Sequence, residues 1–299
     1  MGKILNFGSL NMDMVYSMPH FVRPGETIAA NKMEMFPGGK GLNQSVALSK
    51  TGAEVYQGGK IGTDGLWLLD VLKKSGVNTD FVSRKGSATG TAVIQVVPSG
   101  ENCIIINHGS NYEITKEEID EALSHFGKGD LLLLQNEINL LPYLIEKAAQ
   151  KGMKIALNPS PVDEELLKMD LSGLDYIILN EIEGEAFTGK KEPENICGVF
   201  YEKYPGLKVV LTLGGDGSIY SEKGKITRQG VYKVKAVDTT AAGDSFTGFF
   251  LALINEGKMP QEALKTAAKA AALAVSKMGA AASIPTMAQV QAAQLEEKS

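Results

Sequence analysis

Short apolar runs alternate with helical patterns along most of this chain. Ile4–Phe7, Leu131–Leu134, Ile155–Leu157, Tyr176–Leu179 and Val209–Leu213 read as continuous apolar runs, the form taken by strands buried on both faces. Lys116–His125, Leu140–Gln150, Glu181–Thr188 and Asn195–Lys203 carry helical spacing. This alternation predicts an α/β fold with a mostly parallel central sheet and helices on both faces. Ala263–Met278 is nearly all Ala, Leu, Val and Lys, which predicts a close-packed helix ended by Gly279. Gln289–Ser299 reads as a polar helix or a frayed end.

Two regions break the alternation. Asp13–Met35 and Thr91–Ile106 show strand-like patterns with no helix between them. Met14–Tyr16, Thr27–Ala30, Ala92–Val97 and Cys103–Ile106 predict either a small separate sheet or ordinary hairpins.

Chemistry concentrates in two glycine-bearing turns. Val231–Val237 predicts a strand that leads into Asp238-Thr239-Thr240-Ala241-Ala242-Gly243-Asp244, and Phe246–Ile254 predicts the helix that follows. A strand, a tight small-residue turn and a helix start form an anion site, where free N–H groups and the positive end of the helix dipole converge. Asp244 adds negative charge at such a site. That placement suits a base that deprotonates a hydroxyl attacking a phosphoryl group, with the N–H groups of Ala241, Ala242 and Gly243 stabilising the developing charge. An ordinary helix cap is the other reading, because Asp is a favoured N-cap. Pro37-Gly38-Gly39-Lys40-Gly41-Leu42-Asn43-Gln44 opens a second helix that runs to about Thr51. It lacks the Gly-Lys-Ser/Thr of a P-loop and the glycine spacing of a dinucleotide fingerprint.

The two turns together resemble those of the ribokinase family of carbohydrate kinases. Further motifs follow in that family's order from about Gly8 to Pro285: Ser9-x-Asn11-x-Asp13, Asn180-x-x-Glu183 and Thr212-Leu213-Gly214-x-x-Gly217. The chain departs from the family's habit at Phe249, where a small residue is usual, and at Lys277, where Arg is common.

The resemblance implies a ribokinase-like three-layer sandwich, a single kinase domain over residues 1–299, with a lid sheet from about 13–35 and 91–106. It implies transfer of the γ-phosphoryl of ATP to a primary hydroxyl, with Asp244 as base. Asn11, Asp13, Gly38, Gly39, Lys40, Asn43 and Glu137 are the implied sugar contacts. Glu137 also follows an apolar strand, so it falls at the sheet edge where ligands of α/β folds bind. Asn180, Thr212, Gly214, Gly215 and Gly217 are implied for ATP. Asn180 and Glu183 would orient Mg²⁺ through waters, although Asn with Glu three residues later is also a helix-capping pattern. Asp238, Thr240, Ala274, Lys277, Gly279 and Ser283 are the implied surroundings of K⁺. The motif wording implies D-ribose phosphorylated on its 5-hydroxyl. Fructose, a keto-deoxy sugar acid or a nucleoside stay open as substrates. A nonenzymatic sugar-binding regulator also stays open, though it would have little use for Asp244 in an anion turn. The family's lid often pairs between subunits, which implies a homodimer.

Composition adds exclusions. At 299 residues the chain can bury a large core, and a net charge of −5 offers no basic surface for nucleic acid. Cys103 and Cys197 form no spaced pattern, which suggests a reducing compartment. The N-terminus enters a strand-like run without a signal peptide, and no apolar run reaches membrane-spanning length. These features predict a cytoplasmic protein whose partners are small molecules.

Overall fold

The computed structural model describes residues 2–298. The chain begins with β1 (Ile4–Phe7), β2 (Asn11–Ser17), β3 (Lys32–Gly38), α1 (Lys40–Ser49), β4 (Val55–Lys60), α2 (Leu66–Lys74) and β5 (Asn78–Ser83). It continues through β6 (Gly90–Val96), β7 (Asn102–Asn107), α3 (Lys116–Ser124), β8 (Leu131–Gln135), α4 (Leu141–Gln150), β9 (Lys154–Asn158), α5 (Glu164–Leu167) and β10 (Tyr176–Asn180). Then come α6 (Glu181–Thr188), α7 (Pro193–Lys203), β11 (Lys208–Thr212), β12 (Ser218–Glu222), β13 (Lys225–Gln229), α8 (Ala242–Asn255), α9 (Pro260–Val275) and α10 (Met287–Ala292).

Nine strands form one sheet in the order β13-β12-β11-β10-β9-β8-β1-β4-β5. The strands from β11 to β5 in this order pair in parallel, while β12 and β13 are antiparallel additions at one edge. Successive parallel-strand residues point to opposite faces and both faces are apolar, so the core divides in two. Ile4, Leu131 and Leu133 pack with α1, α8 and α9 on one side. Leu5, Phe7, Leu132 and Leu134 pack with α3, α4 and α7 on the other. The expected α/β sandwich is present.

The second sheet has four strands in the order β3-β2-β6-β7, so the helix-free regions form a separate sheet rather than isolated hairpins. Its strand beginning at Lys32 replaces the one expected at Thr27–Ala30. The register explains why: Ser17 pairs with Lys32, so residues before Lys32 extend past the end of β2 and have no partner strand there.

Two other expectations are corrected. Val231–Val237 is not a strand; only an isolated bridge joins Tyr232 to Glu297. Only Tyr232 of this run is buried, and the segment lies against the chain's C-terminal residues, with Lys298 N–H donating to Val231 O and Lys233 N–H to Glu296 O, both at 2.8 Å. The helix expected at Ala263–Met278 ends at Val275, and Gly279, at φ 93°, lies beyond it. The Val275 carbonyl instead accepts the N–H groups of Val237 and Asp238, at 2.8 and 3.1 Å. Phe249, the departure from the family's small residue, is fully buried in the core.

Helices α1 and α8 approach closely enough to set the site. A Cβ on Gly248 would lie 2.4 Å from Ala47 Cβ and 2.8 Å from Leu48 N. One turn earlier on each helix stand Asn43, Gln44 and Asp244. Close backbone packing at Gly248 thus brings the two helix starts together.

Candidate active site

The turn before α8 places its acid. Ala241 adopts the left-handed conformation, φ 59° and ψ 14°, as the residue before the helix. This single positive-φ residue turns the chain so that Ala242, Gly243 and Asp244 occupy the first helical turn, where N–H groups have no intrahelical acceptor. The Ala242 N–H makes a long turn contact of 3.3 Å to Thr239 O. Asp244 is buried and each of its oxygens receives an amide N–H. Asn43 Nδ2 donates to Oδ2 at 3.0 Å and Gln44 Nε2 donates to Oδ1 at 2.9 Å. The Asn43 Oδ1 atom is buried without a partner, an acceptor that calls for a hydroxyl.

The glycine turn before α1 builds the neighbouring acceptor. Ser9 Oγ–H donates to Glu137 Oε2, and Lys40 N–H donates to the same oxygen at 3.1 Å. Gly41 N–H donates to Ser9 Oγ at 3.2 Å. Glu137, which follows β8, is therefore tied to the start of α1 through one oxygen, and its Oε1 remains for a ligand. Gly39 takes φ 89°, and a Cβ on Gly38 would lie 2.1 Å from either Asp13 carboxylate oxygen. Asn11 is fixed from behind: Asn111 Nδ2 donates to its Oδ1 at 2.7 Å, so its own amide N–H groups are the end left to offer.

Acid and base charges oppose one another here. Burial, then the Glu137 charge, pushes the Asp13 carboxyl up from 3.8 to about 7. Burial acts to lower the Lys40 ammonium, but the carboxylates of Asp244, Glu137 and Glu183 outweigh it and hold Lys40 above its ordinary value. The structure thus brings Asp13, Lys40, Asn43, Glu137 and Asp244 into one polar cluster at the carboxyl ends of β1 and β8.

Asn180 and Glu183 form a complete capping box at α6. Glu183 N–H donates to Asn180 Oδ1 at 2.8 Å, and Asn180 N–H to Glu183 Oε2 at 3.0 Å. Asn180 and Thr212 are register partners at the ends of β10 and β11. The turn between β11 and β12 takes positive φ at Gly214 and Gly217. A Cβ at Gly217 would meet Gln229 O at 2.1 Å, whereas Gly215 has open space.

Asp238 stitches two loops together. Its Oδ1 accepts Thr240 N–H and its Oδ2 accepts Gly279 N–H, both at 2.9 Å. Burial acts to raise this carboxyl, but the hydrogen bonds from Thr240 and Gly279 outweigh it and hold it below the usual range. Lys277 N–H donates to Ala274 O at 3.1 Å at the end of α9, while Ser283 bonds within its own turn to Ala280 O.

Several site residues have no counterpart in the sequence reading: Gln44, Gln135, Asn158, Asn6 and Asn111. One signal could have found two of them. Gln135 and Asn158, like Asn180, each end an apolar parallel strand, and a polar residue at that edge faces the ligand side of an α/β sheet.

This arrangement suits a small-molecule phosphotransferase: an acid in the first turn of a helix, faced by polar side chains with an unpaired buried acceptor and by a separate small sheet. The chain belongs to the family described as pfkB family carbohydrate kinase, whose sequence model matches residues 1–287. It is 37% identical over 295 residues to a ribokinase of Haemophilus influenzae, covering 93% of this chain and 94% of that one. Its fold is similar to a ribokinase from Cryptococcus neoformans in complex with ADP, at TM-score 0.86 and 32% identity, with 97% of this chain and 99% of that chain covered. It is also similar to an Arabidopsis thaliana ribokinase complexed with ribose and ATP, at TM-score 0.85 and 30% identity, covering 97% and 98%.

Proposed function

We propose that this enzyme transfers the γ-phosphoryl of ATP to the 5-hydroxyl of D-ribose. The observation that carries this reading is the buried Asp244 carboxylate at the start of α8, each of whose oxygens accepts a side-chain amide N–H. Asp244 accepts the hydroxyl proton, and the N–H groups of Ala241, Ala242 and Gly243 face the charge that develops on the transferring group. Asp13, Asn43 Oδ1 and Glu137 Oε1 accept from ring hydroxyls, Asn11 donates to the sugar, and Gly38 and Gly39 let it approach the backbone. Lys40 contributes positive charge between the sugar and the phosphate. The Thr212–Gly217 turn, with Asn180, Gly214 and Gly215, receives the nucleotide.

Two cations belong to this reading. Among the described residues no group of three or more His, Cys, Asp and Glu could cage a metal, which suits Mg²⁺, an ion that keeps its waters. The capping box leaves Glu183 Oε1 for such a water, beside Asn180. Mg²⁺ supplies neutralisation of phosphate charge when bound. The Asp238 loop, with the turns at Thr240, Ala274, Lys277, Gly279 and Ser283, is rich in carbonyls and carries one carboxylate. That donor set suits K⁺.

The second sheet, formed by β2 and β3 within residues 11–38 and by β6 and β7 within residues 90–107, serves as a lid over a single kinase domain, and lid strands pair between two subunits. Among the described residues no helix is long and apolar enough to cross a membrane; the cytoplasmic location that belongs to this reading rests on the use of ATP. A substrate panel with coupled ADP detection tests the reading. Ribose gives the highest kcat/KM, ahead of 2-deoxyribose, fructose and nucleosides, because a site built on hydrogen bonds rejects analogues that leave its polar groups unpaired. A fructose or nucleoside rate about tenfold above ribose would remove ribose and leave the kinase.

A further inference from the structure

Behind Asp244 runs a buried chain of side-chain amides that the reaction as described does not use. Gln44 Nε2 donates to Asp244 Oδ1 at 2.9 Å and to Asn158 Oδ1 at 2.8 Å. Gln44 Oε1 accepts from Gln135 Nε2 at 2.7 Å, and the same nitrogen donates to Asn6 Oδ1 at 2.8 Å. Asn6 Nδ2 donates to Gly41 O at 2.6 Å and Ser45 Oγ at 2.9 Å, and Ser45 Oγ–H donates to Gln57 Oε1 at 2.5 Å. Gln57 Nε2 ends the chain on the carbonyls of Gly8 and Gly58, at 3.0 and 2.7 Å. Asn6, Gln44, Ser45, Gln57 and Gln135 are all fully buried.

The direction of this chain is fixed. Asn158 Nδ2 donates to Ile178 O at 2.9 Å, so Asn158 turns its oxygen toward Gln44. Asp244 and Asn158 therefore both present acceptors, and only the NH₂ end of Gln44 satisfies both. Its oxygen is left for Gln135. Gln135 keeps its nitrogen between two acceptors although its own Oε1 has no partner. An unpaired buried carbonyl is destabilising, and turning this amide over would set an oxygen against two others. From Gln135 through Gln44 to Asp244 the two bonds run the same way and polarise one another, while from Gln135 Nε2 through Asn6, Ser45 and Gln57 they run outward to the sheet.

We infer that Gln44 is a positioning residue for the Asp244 base, locked by Gln135 and Asn158 so that one lone pair of Oδ1 is occupied and the carboxylate plane is fixed toward the sugar hydroxyl. This rests on the reading of Asp244 as base. The network anchors Asp244 to the ends of β8 and β9 and to β1 and β4, neighbours in the central sheet. Asn43 touches both base and sugar pocket, whereas Gln44 acts on the base alone, so its removal leaves sugar affinity in place.

The test is a double-mutant cycle on the full enzyme with ribose and ATP, using Gln44→Met, which keeps length without an N–H. Loss of a fixed donor lowers kcat about 10–100-fold, while ribose KM stays within about threefold. In an Asp244→Asn background the same Gln44→Met change alters kcat by less than about twofold, because a residue acting through another has nothing left to act on. Parent-level kcat in Gln44→Met, an equal fold-loss in both backgrounds, or a loss carried by ribose KM overturns the inference. If Gln44→Met does not fold, Gln135→Met is read in its place: kcat falls severalfold at parent KM and is silent in Asp244→Asn, and parent-level kcat overturns it. If Asp244→Asn itself keeps parent turnover, the base reading fails. If it loses turnover while Gln44→Met does not, only this inference fails.

Discussion

Asn43 and Asp244 stand 201 positions apart in the chain and meet side chain to side chain, with Asn43 Nδ2 donating to Asp244 Oδ2 at 3.0 Å. The contact joins the starts of two helices, one from each glycine turn, and it leaves the Asn43 oxygen buried and unpaired. Replacing Asp244 by Asn keeps the shape but turns an acceptor into a partial donor facing two other donors. Turnover falls about 10²–10⁴-fold, as for a lost general base, with ribose binding largely kept. Calorimetric ribose affinity and steady-state kcat measure the two parts, and a kcat within threefold of the parent would end the role of Asp244 as base.

Gly248 explains how that contact is possible. A Cβ there would lie 2.4 Å from Ala47 Cβ and 2.8 Å from Leu48 N, and α1 backbone cannot yield as a flexible side chain would. Gly248→Ala forces α1 and α8 apart, which costs about 1–3 kcal/mol of stability and lengthens the Asn43–Asp244 and Gln44–Asp244 bonds. Thermal unfolding and kcat should both fall. Parent-like values of both would mean the helices have slack.

Much of this frame is legible in the sequence, and the missing parts share a cause. The apolar runs of β8, β9, β10 and β11 are buried on both faces, so composition alone marks them. β4 reads Val-Tyr-Gln-Gly-Gly-Lys and lacks that signal, because its Gln57 and Lys60 are polar groups satisfied inside the fold. Asp13, Lys40, Asn43 and Asp244 stand in motifs and were found. Gln135 and Asn158 each end an apolar run, a sign of the ligand side of the sheet, but their meeting depends on the parallel pairing that makes them register partners at the sheet edge. Val231–Val237 has strand periodicity but meets its neighbour only through the isolated Tyr232–Glu297 bridge, and pairing is a tertiary fact that periodicity does not contain.

Asp13 gives a pH dependence with a definite sign. Its folded carboxyl is raised from 3.8 to about 7 by burial and then by Glu137. A raised acid adds stability that is complete below the unfolded value and is lost as pH rises through the folded one. Without sugar, the parent therefore loses stability relative to Asp13→Asn as pH climbs from 3.8 to about 7, by about 4 kcal/mol at the plateau. Thermal melts of both proteins across that range measure it. A difference independent of pH would show that Asp13 is ionised throughout.

The cations are separable by mutation. Glu183→Gln keeps the capping geometry through its remaining oxygen, so α6 stays folded while the charge toward Mg²⁺ is lost. The Mg²⁺ needed for half-maximal rate should rise, and an unchanged requirement would leave Glu183 as a helix cap only. Activity in K⁺ should exceed that in Na⁺ or choline. Asp238→Asn should erase the difference, because it removes the one carboxylate of the carbonyl-rich loop. Equal rates in all three salts for the parent would remove the monovalent site.

The second sheet predicts an assembly. Its register places Asp13 opposite Phe36 and Ala92, and Ala92 opposite Ile106, so these side chains share the face that carries Asp13. Ile105 lies on the other face and is 60% exposed, while Phe36 and Ile106 are 40% and 46% exposed. β3 and β7 are the two edges of this sheet, and an exposed apolar edge strand is a template for pairing. Natural edges are blunted by charge, but β7 reads Asn-Cys-Ile-Ile-Ile-Asn with none. A second copy of the chain, bringing the same apolar lid, would cover both the edge and the faces. Light scattering at micromolar concentration should return about twice the 31.9 kDa chain mass. Ile105→Lys should shift the mass toward the monomer and, if Ile104 and Ile106 lose their cover as well, raise ribose KM with a smaller change in kcat. A monomeric mass for the parent would mean that the lid closes on its own subunit.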